Sequence, residues 1–389
     1  MFSDRTNWKL TRNRLTEALQ EARSSGARVL DLTISNPTRV GLHFDEPLIL
    51  QSLASPQAMH YDPQPKGLLS ARAAVADYYR TAHEIHGLDP EHVILTTSTS
   101  EGYSFVFRLL CNPGDELLVP KPSYPLFEFL ADLQDVKLLP YPLLYDHGWQ
   151  MDFPSLQKVV TPRTRGVVVV HPNNPTGSYV HAQEQESLNR FCQEHRLAII
   201  ADEVFLDYAH NRVPQPSFTT NQDVLTFTLS GVSKISALPQ MKVAWIATSG
   251  PAAEVEAAQA RLEVIADTYL SMNAPIQWAA PALLDQRKSI QRQLLDRVLA
   301  NLTEMDRQFA RQNVCERLTV EAGWYAVLRV PVTQTDEELT VDLLRRKSVL
   351  VHPGHFYDFP RDGYLVLSLI PTQDDFADGI RRLLEAVGT

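Results

Sequence analysis

The sequence predicts an α/β protein whose core is a mostly parallel sheet covered by helices on both faces. Short runs of β-branched and apolar residues recur through the middle of the chain, and stretches with apolar residues at helical spacing lie between most of them. With 389 residues the chain can bury a sizeable core and has room for more than one domain.

Near the N-terminus, Leu15, Ala18, Leu19 and Ala22 recur at helical spacing and predict a docking helix. Arg5, Lys9, Arg12, Arg14 and Arg23 would suit an organelle transit peptide, but Asp4, Glu17 and Glu21 interrupt them, so the docking helix is the simpler account. Val29–Ile34 reads as a short strand and Ser35–Thr38 as a turn, after which the chain is irregular and proline-rich through Tyr61. Leu68, Ala71, Val75 and Tyr78 predict a helix over Gly67–Tyr79. Strands follow at His92–Thr97, Glu116–Val119, Gly166–His171, Leu197–Asp202, Val224–Leu229 and Val243–Thr248. Helices are predicted at Glu101–Leu110, Tyr124–Leu133 and Gln183–His195, with a turn at Asn112-Pro113-Gly114-Asp115.

Around Asn273-Ala274-Pro275 the pattern changes. A long helix-permissive segment, Ala280–Gln312, leads to strands near Trp324–Val330, Val349–His352 and Tyr364–Leu369, mixed with helices near Glu337–Lys347 and Asp374–Val387. This predicts a large domain over 46–279, an interdomain helix and small C-terminal domain over 280–389, and an arm over 1–45 that completes the small domain.

Composition excludes several classes of function. Lys plus Arg number 36 against 46 Asp plus Glu, a net charge of −10 with no basic block, so neither nucleic acid nor an anionic membrane is an expected partner. The three cysteines, Cys111, Cys192 and Cys315, are odd in number and widely spaced, which argues against a disulfide framework or a zinc site and suits a reducing, cytoplasmic location. No run approaches the roughly 20 apolar residues of a membrane span. No two of the 16 glycines form a Gly-x-Gly, so a dinucleotide-binding fingerprint cannot be built.

Ligands of open parallel sheets bind beyond the carboxyl ends of the strands, and four such positions are informative. Ser98, Thr99 and Ser100 follow one strand and open a helix, offering hydroxyls, free N–H groups and the positive end of a helix dipole to a phosphate; the same residues would also serve as an ordinary N-cap. After Val170 comes His171-Pro172-Asn173-Asn174-Pro175-Thr176-Gly177, a turn that would hold an asparagine amide rigid between prolines. Asp202 ends an apolar run, and a carboxylate buried there needs a cation that nothing nearby in sequence supplies. Lys234 directly follows the run Val224–Leu229, with Gly231 and Ser233 as small neighbours. Burial at that point disfavours the ammonium and leaves an amine able to attack a carbonyl and hold it as a Schiff base. A phosphate cradle, an oriented amide, a carboxylate seeking a cation and a lysine seeking a carbonyl are the needs of one cofactor, pyridoxal 5'-phosphate.

Asn174-Pro175-Thr176-Gly177, Asp202-Glu203-Val204 and Ser233-Lys234, in this order and spacing, resemble the motifs of the class I/II aminotransferases, the fold-type I pyridoxal phosphate enzymes. The likeness runs from about Leu30 to Ser368. It implies a large domain with a mostly parallel seven-stranded-type sheet flanked by helices, plus a smaller α/β domain. It implies Lys234 as the internal aldimine and proton shuttle, Asp202 as partner of the ring nitrogen, Asn174 as donor to the ring hydroxyl and Tyr124 stacked on the ring. Ser98, Thr99, Ser100, Ser233 and Lys242 would meet the phosphate, together with Tyr61 of a neighbouring subunit, so a homodimer with shared sites is implied. An amino acid or related amine would be the amino donor and a 2-oxo acid the acceptor.

The sequence departs from that pattern at several places. Phe205 stands where the family has tyrosine, Lys242 where it has arginine, and Gln240 and Ala244 where glycines flank that arginine. In Gly363-Tyr364-Leu365-Val366-Leu367-Ser368-Leu369, Val366 occupies the position of the carboxylate-clamping arginine. Arg39 and Arg361 are the candidate replacements, and His355, Phe356 and Tyr357 are expected at the substrate mouth. The reading is a pyridoxal phosphate-dependent aminotransferase. A lyase, decarboxylase or racemase on the same scaffold is the alternative, and a non-catalytic sensor a more distant one, because such regulators normally carry an added DNA-binding domain.

Overall fold

The apolar runs of the middle chain pair into one sheet because each is buried on both faces and leaves its backbone groups only neighbouring strands as partners. The computed structural model describes residues 1–8, 10–270 and 272–387; Lys9 lies outside the described residues. In chain order the strands are β1 Leu30–Asp31, β2 Val93–Thr96, β3 Glu116–Lys121, β4 Lys137–Tyr145, β5 Trp149–Met151, β6 Thr164–Val170, β7 Ala198–Asp202, β8 Thr226–Gly231, β9 Ala244–Ser249, β10 Glu316–Arg317, β11 Tyr325–Arg329, β12 Val349–Leu350, β13 His352–Pro353 and β14 Tyr364–Ser368.

The large sheet has the order β2-β9-β8-β7-β6-β3-β4-β5. Strands β8, β7, β6, β3 and β4 are mutually parallel, whereas β9 runs antiparallel to both β2 and β8. Where seven strands are expected there is an eighth, because β4 returns as the short antiparallel β5 at the edge. Neither β4 nor β5 is evident in the sequence: Pro140 and Pro142 read against a strand, and only beside a sheet edge are they tolerated.

Successive residues of each strand face opposite layers. Val168, Ile200, Phe227, Leu229 and Ile246 pack against Val106, Phe107 and Leu262, from the helices Thr99–Leu110 and Ala252–Tyr269. Val167, Val169, Ile199 and Ala201 pack instead against Leu188 and Phe191 of the helix Ala182–His195. The helix Ala252–Tyr269 escapes the sequence reading because its buried stripe is narrow and built partly of alanine.

A second, antiparallel sheet has the order β10-β11-β14-β13, and β1 pairs in parallel with β12. Its core joins Ala326, Leu328, Leu365 and Leu367 to Leu294 and Val298 of the helix Arg287–Phe309 and to Phe376 and Ile380 of the helix Gln373–Val387. Several predicted elements change their limits here. The long segment from Ala280 is two helices, Ala274–Asp285 and Arg287–Phe309, meeting at Gln286. The strand expected at Val349–His352 divides between two sheets, with Val349 and Leu350 on β1 and His352 on β14. The strand expected at Val29–Ile34 shortens to Leu30–Asp31, because the Asp31 carboxylate turns back to the Thr33 N–H and hydroxyl. The helix expected from Tyr124 begins at Phe127, since Pro125 biases Tyr124 away from helical backbone. Among the described residues no helix is long and apolar enough to cross a membrane.

Candidate active site

The carboxyl ends of β6, β7 and β8 lie side by side, with Val170 in register with Asp202 and Asp202 with Leu229. Lys234 follows β8 on a single helical turn, Val232–Ile235, whose backbone is fixed by the Tyr208 hydroxyl donating to the Lys234 carbonyl at 2.7 Å. The lysine Nζ sits 5.5 Å from the ring centre of Phe205 and 5.1 Å from that of Trp324. Burial lowers its pKa to about 8, against the opposing pull of the Asp202 charge.

Asp202 receives the Tyr103 hydroxyl at 2.9 Å on one oxygen and the Val204 N–H at 3.1 Å on the other. Burial raises its pKa to about 6, while the Val204 N–H, the Tyr103 hydroxyl and Lys234 pull it back down. Two neutral donors do not discharge a half-buried carboxylate, so Asp202 is placed to take a cation.

The two asparagines after β6 have separate duties. Asn173 builds the turn: its Oδ1 accepts from the Thr176 N–H at 3.2 Å and from the Thr176 hydroxyl at 2.9 Å, and its amide donates to the Pro122 carbonyl at 3.3 Å. Asn174 is also buried, but its Oδ1 has no hydrogen-bond partner among the described residues. A buried amide left short of a partner marks a place for a ligand group.

Thr99, Ser100, Ser233, Asn174, Asp202, Lys234, Tyr103, Tyr124, Phe205, Tyr325 and Ser35 line one cavity that encloses about 860 Å³ including its open mouth. Ser98 is not in this lining. Its hydroxyl accepts the Glu101 N–H at 3.2 Å and caps the helix Thr99–Leu110, while the Glu101 carboxylate accepts the Thr97 N–H at 2.6 Å. Lys242 is exposed just before β9, and Tyr61 is 81% exposed; neither reaches the cavity within this chain. Arg39 is exposed on the turn Pro37–Arg39, and Arg361 extends over the Tyr364 ring with its Nη2 3.3 Å from the phenol. Tyr357 is buried behind the lining, 3.2 Å from His352 Nδ1. Val366 is buried between its cross-strand partners Val327 and His352.

Sequence reasoning missed Tyr103, Trp324, Tyr325 and Ser35. Tyr103 had a usable signal, since it stands one helical turn after Thr99 on the same face. The other three come from distant segments and carry no local signature.

The donor set fits pyridoxal 5'-phosphate. Asp202 has no ion pair among the described residues, Asn174 Oδ1 lacks a partner, Lys234 is an amine of lowered basicity, and hydroxyls gather at a helix N-terminus. The family model for aminotransferase class I and II matches residues 28–375. Alanine aminotransferase of Mycobacterium tuberculosis is 28% identical over 374 residues, covering 92% of this chain and 86% of that protein. Glutamate-pyruvate aminotransferase AlaA of Escherichia coli (strain K12) is 26% identical over 376 residues, covering 92% of this chain and 90% of that protein. Among solved structures, an alanine aminotransferase from Pyrococcus furiosus shares the fold with a TM-score of 0.90 at 21% identity, over 100% of both chains. The match over residues 28–375, in a chain whose Lys234 and Asp202 line one cavity, identifies it as a member of the class I and II aminotransferases, enzymes that use pyridoxal 5'-phosphate to pass an amino group between an amino acid and a 2-oxo acid.

Proposed function

We propose that Lys234 carries the cofactor and moves the proton of the reaction; the observation behind this is an amine of lowered basicity that shares one cavity with the Asp202 carboxylate. Pyridoxal phosphate supplies an aldehyde that condenses with amines and a protonated ring that accepts an electron pair. Lys234 Nζ would accept a proton from the donor carbon and give it back later in the reaction; a pKa near 8 suits both tasks. Asp202 would hold a proton on the ring nitrogen, and Tyr103 and Val204 orient its carboxylate. Asn174 and Tyr124 line the same cavity and would hold the ring, the first through its amide and the second by stacking. Thr99, Ser100 and Ser233 hold the phosphate at the N-terminus of the helix Thr99–Leu110, with Lys242 contributing charge from outside the cavity. Ser98 acts by capping that helix.

The active molecule is proposed to be a cytoplasmic homodimer in which Tyr61 reaches the phosphate site of the partner subunit. Supporting this, Met59, Tyr61, Leu69, Leu270 and Trp278 are exposed large apolar side chains, and the helix Ala274–Asp285 packs beside Glu46–Ser52 and Pro56–Met59 to bring several of them together. Residues 46–279 form the cofactor-holding domain, and 280–389 with 1–45 the smaller one; the pairing of β1 with β12 supports joining the two chain ends.

The test is a single-turnover spectrum. Holoenzyme mixed with amino donors and no 2-oxo acid should lose its visible absorbance as a carbonyl product appears, and Lys234→Ala should abolish both the absorbance and turnover. A Lys234→Ala protein that keeps both would refute the assignment.

A further inference from the structure

A second open cavity, about 870 Å³ including its mouth, lies where the helix Leu69–His83 ends and the helix Arg287–Phe309 begins. Beside His83, its lining carries four cationic side chains, Arg212, Arg287, Lys288 and Arg292. The acid in the lining, Asp207, is engaged: its carboxylate accepts the Tyr78 hydroxyl at 2.7 Å and stands 3.5 Å from His83 Nε2. On a chain with a net charge of −10, so many cations around one hollow need a reason.

Two of them are paired at the rim, Arg212 with Asp296 at 2.5 Å and Lys288 with Asp285 at 3.2 Å. All four of these side chains are exposed, and exposed pairs hold weakly enough to give way to a ligand. Arg287 differs, being only 6% exposed. Its guanidinium donates to the Leu284 carbonyl at 2.9 Å and the Thr81 hydroxyl at 2.6 Å, and lies 5.5 Å from the centre of the Tyr78 ring. Among the described residues no carboxylate forms an ion pair with Arg287 or with Arg292. A guanidinium withdrawn from water and met only by neutral groups keeps its charge for an outside partner. Lys288 and Arg292 stand one helical turn apart on one face of their helix, and Arg212 comes from the loop after β7.

The same wall reaches the reactive lysine. Gln291, also in the lining, donates its amide to the carbonyl of Ile235 at 2.9 Å, the residue after Lys234 on the turn Val232–Ile235. Tyr208, next to Asp207, holds the Lys234 carbonyl. The proposed dimer face is distant: Leu69, on that face, lies about 18 Å from Thr81 along the helix they share.

We infer that this cavity binds a small oxyanion of two or more negative charges, a phosphate compound or a polycarboxylate, through Arg287, Lys288, Arg292 and Arg212, and that its occupancy is felt at Lys234 through Gln291. The second part rests on the assignment of Lys234 as the cofactor lysine. A guanidinium fork meets two oxygens of either anion at once. An anion that draws Arg287 and Arg292 toward itself pulls on the helical turn carrying Gln291, and so on the carbonyl that Gln291 holds.

Holoenzyme, its phosphate cradle already filled, is titrated calorimetrically with sodium diphosphate and with sodium citrate at matched ionic strength. The single-turnover rate with an amino donor is measured with and without each anion. One site per chain is expected, and the tighter anion names the ligand class. Lys288→Gln combined with Arg292→Gln changes two exposed side chains and should weaken binding about tenfold or more. Arg287→Lys, which keeps the charge and loses the fork, should weaken it as well. The bound anion should change the single-turnover rate about twofold or more, and the double variant should lose that response. No heat beyond that of sodium chloride, or an affinity unchanged in the double variant, overturns the site. Loss of the visible cofactor band on adding the anion overturns it too, by placing the anion in the cradle. Binding with no change in rate overturns the link through Gln291. If no donor alters the band at all, the amino-transfer reading fails while calorimetry still decides the anion site.

Discussion

Phe205 shows how one missing hydroxyl sets the behaviour of the site. It packs edge-on against Trp324 with Lys234 Nζ 5.5 Å from its ring centre, so under the proposed cofactor placement it would offer no phenol to the ring oxygen and Asn174 would serve it alone. Phe205→Tyr should lower the pH at which the bound cofactor's visible band titrates by about one unit, equivalent to about 1.4 kcal/mol; an unchanged titration would mean that residue 205 does not face that oxygen. Tyr103→Phe removes one of the two donors to Asp202 and should slow turnover about tenfold with little change in Tm. Lys234 makes a pH prediction of definite sign. Its amine is neutral above about 8 rather than above its ordinary value of 10.5, so capture of pyridoxal phosphate by cofactor-free protein should speed up as pH rises to about 8 and level off beyond it. A rate that still climbs at pH 10 would contradict the lowered basicity. Lys234, Asp202 and Asn174 were legible in the sequence because each is expensive or unusual where it stands, a charge or an amide at the end of an apolar run. Tyr325 and Ser35 were not, because an ordinary strand tyrosine and a turn serine become site residues only through long-range packing.

Secondary-structure elements hold these side chains through close backbone approaches. Gly177 has φ +69°, and a Cβ there would stand 2.3 Å from the Ala322 carbonyl oxygen, where the turn carrying Asn174 meets the segment leading to β11. Gly177→Ala should cost about 2–4 kcal/mol by combining backbone strain with overpacking, seen as a Tm several degrees lower and weakened cofactor retention. Unchanged thermal unfolding would show that this approach can relax. Ser98→Ala, by contrast, should cost about 1 kcal/mol as a lost cap while leaving cofactor affinity nearly intact, measured by fluorescence titration. The central strands were predictable because apolar runs such as Val167–Val170 are buried on both faces. Strand β4 and the helix Ala252–Tyr269 were hidden, the first by its prolines and the second by a stripe too thin to register.

In the whole molecule, exposed apolar groups on the segments around Tyr61 and Trp278 bear on assembly. Trp278→Glu with Leu270→Asp should shift sedimentation from dimer to monomer and loosen the cofactor, because each site would lose its neighbour's Tyr61. A double variant that stays dimeric with full cofactor affinity would remove this surface from the interface. The α/β class was readable from periodicity alone, yet the pairing of the small antiparallel sheet was not, since β10 and β13 are two-residue strands defined only by their partners. The register of Leu30 with Val349 ties an early segment of the chain to a late one. During synthesis the large sheet, complete by Ser249, can close while Leu30 still waits for a strand that has not been made. A stalled or truncated product would thus hold the large sheet and Lys234 without the second sheet, with Leu30 still unpaired.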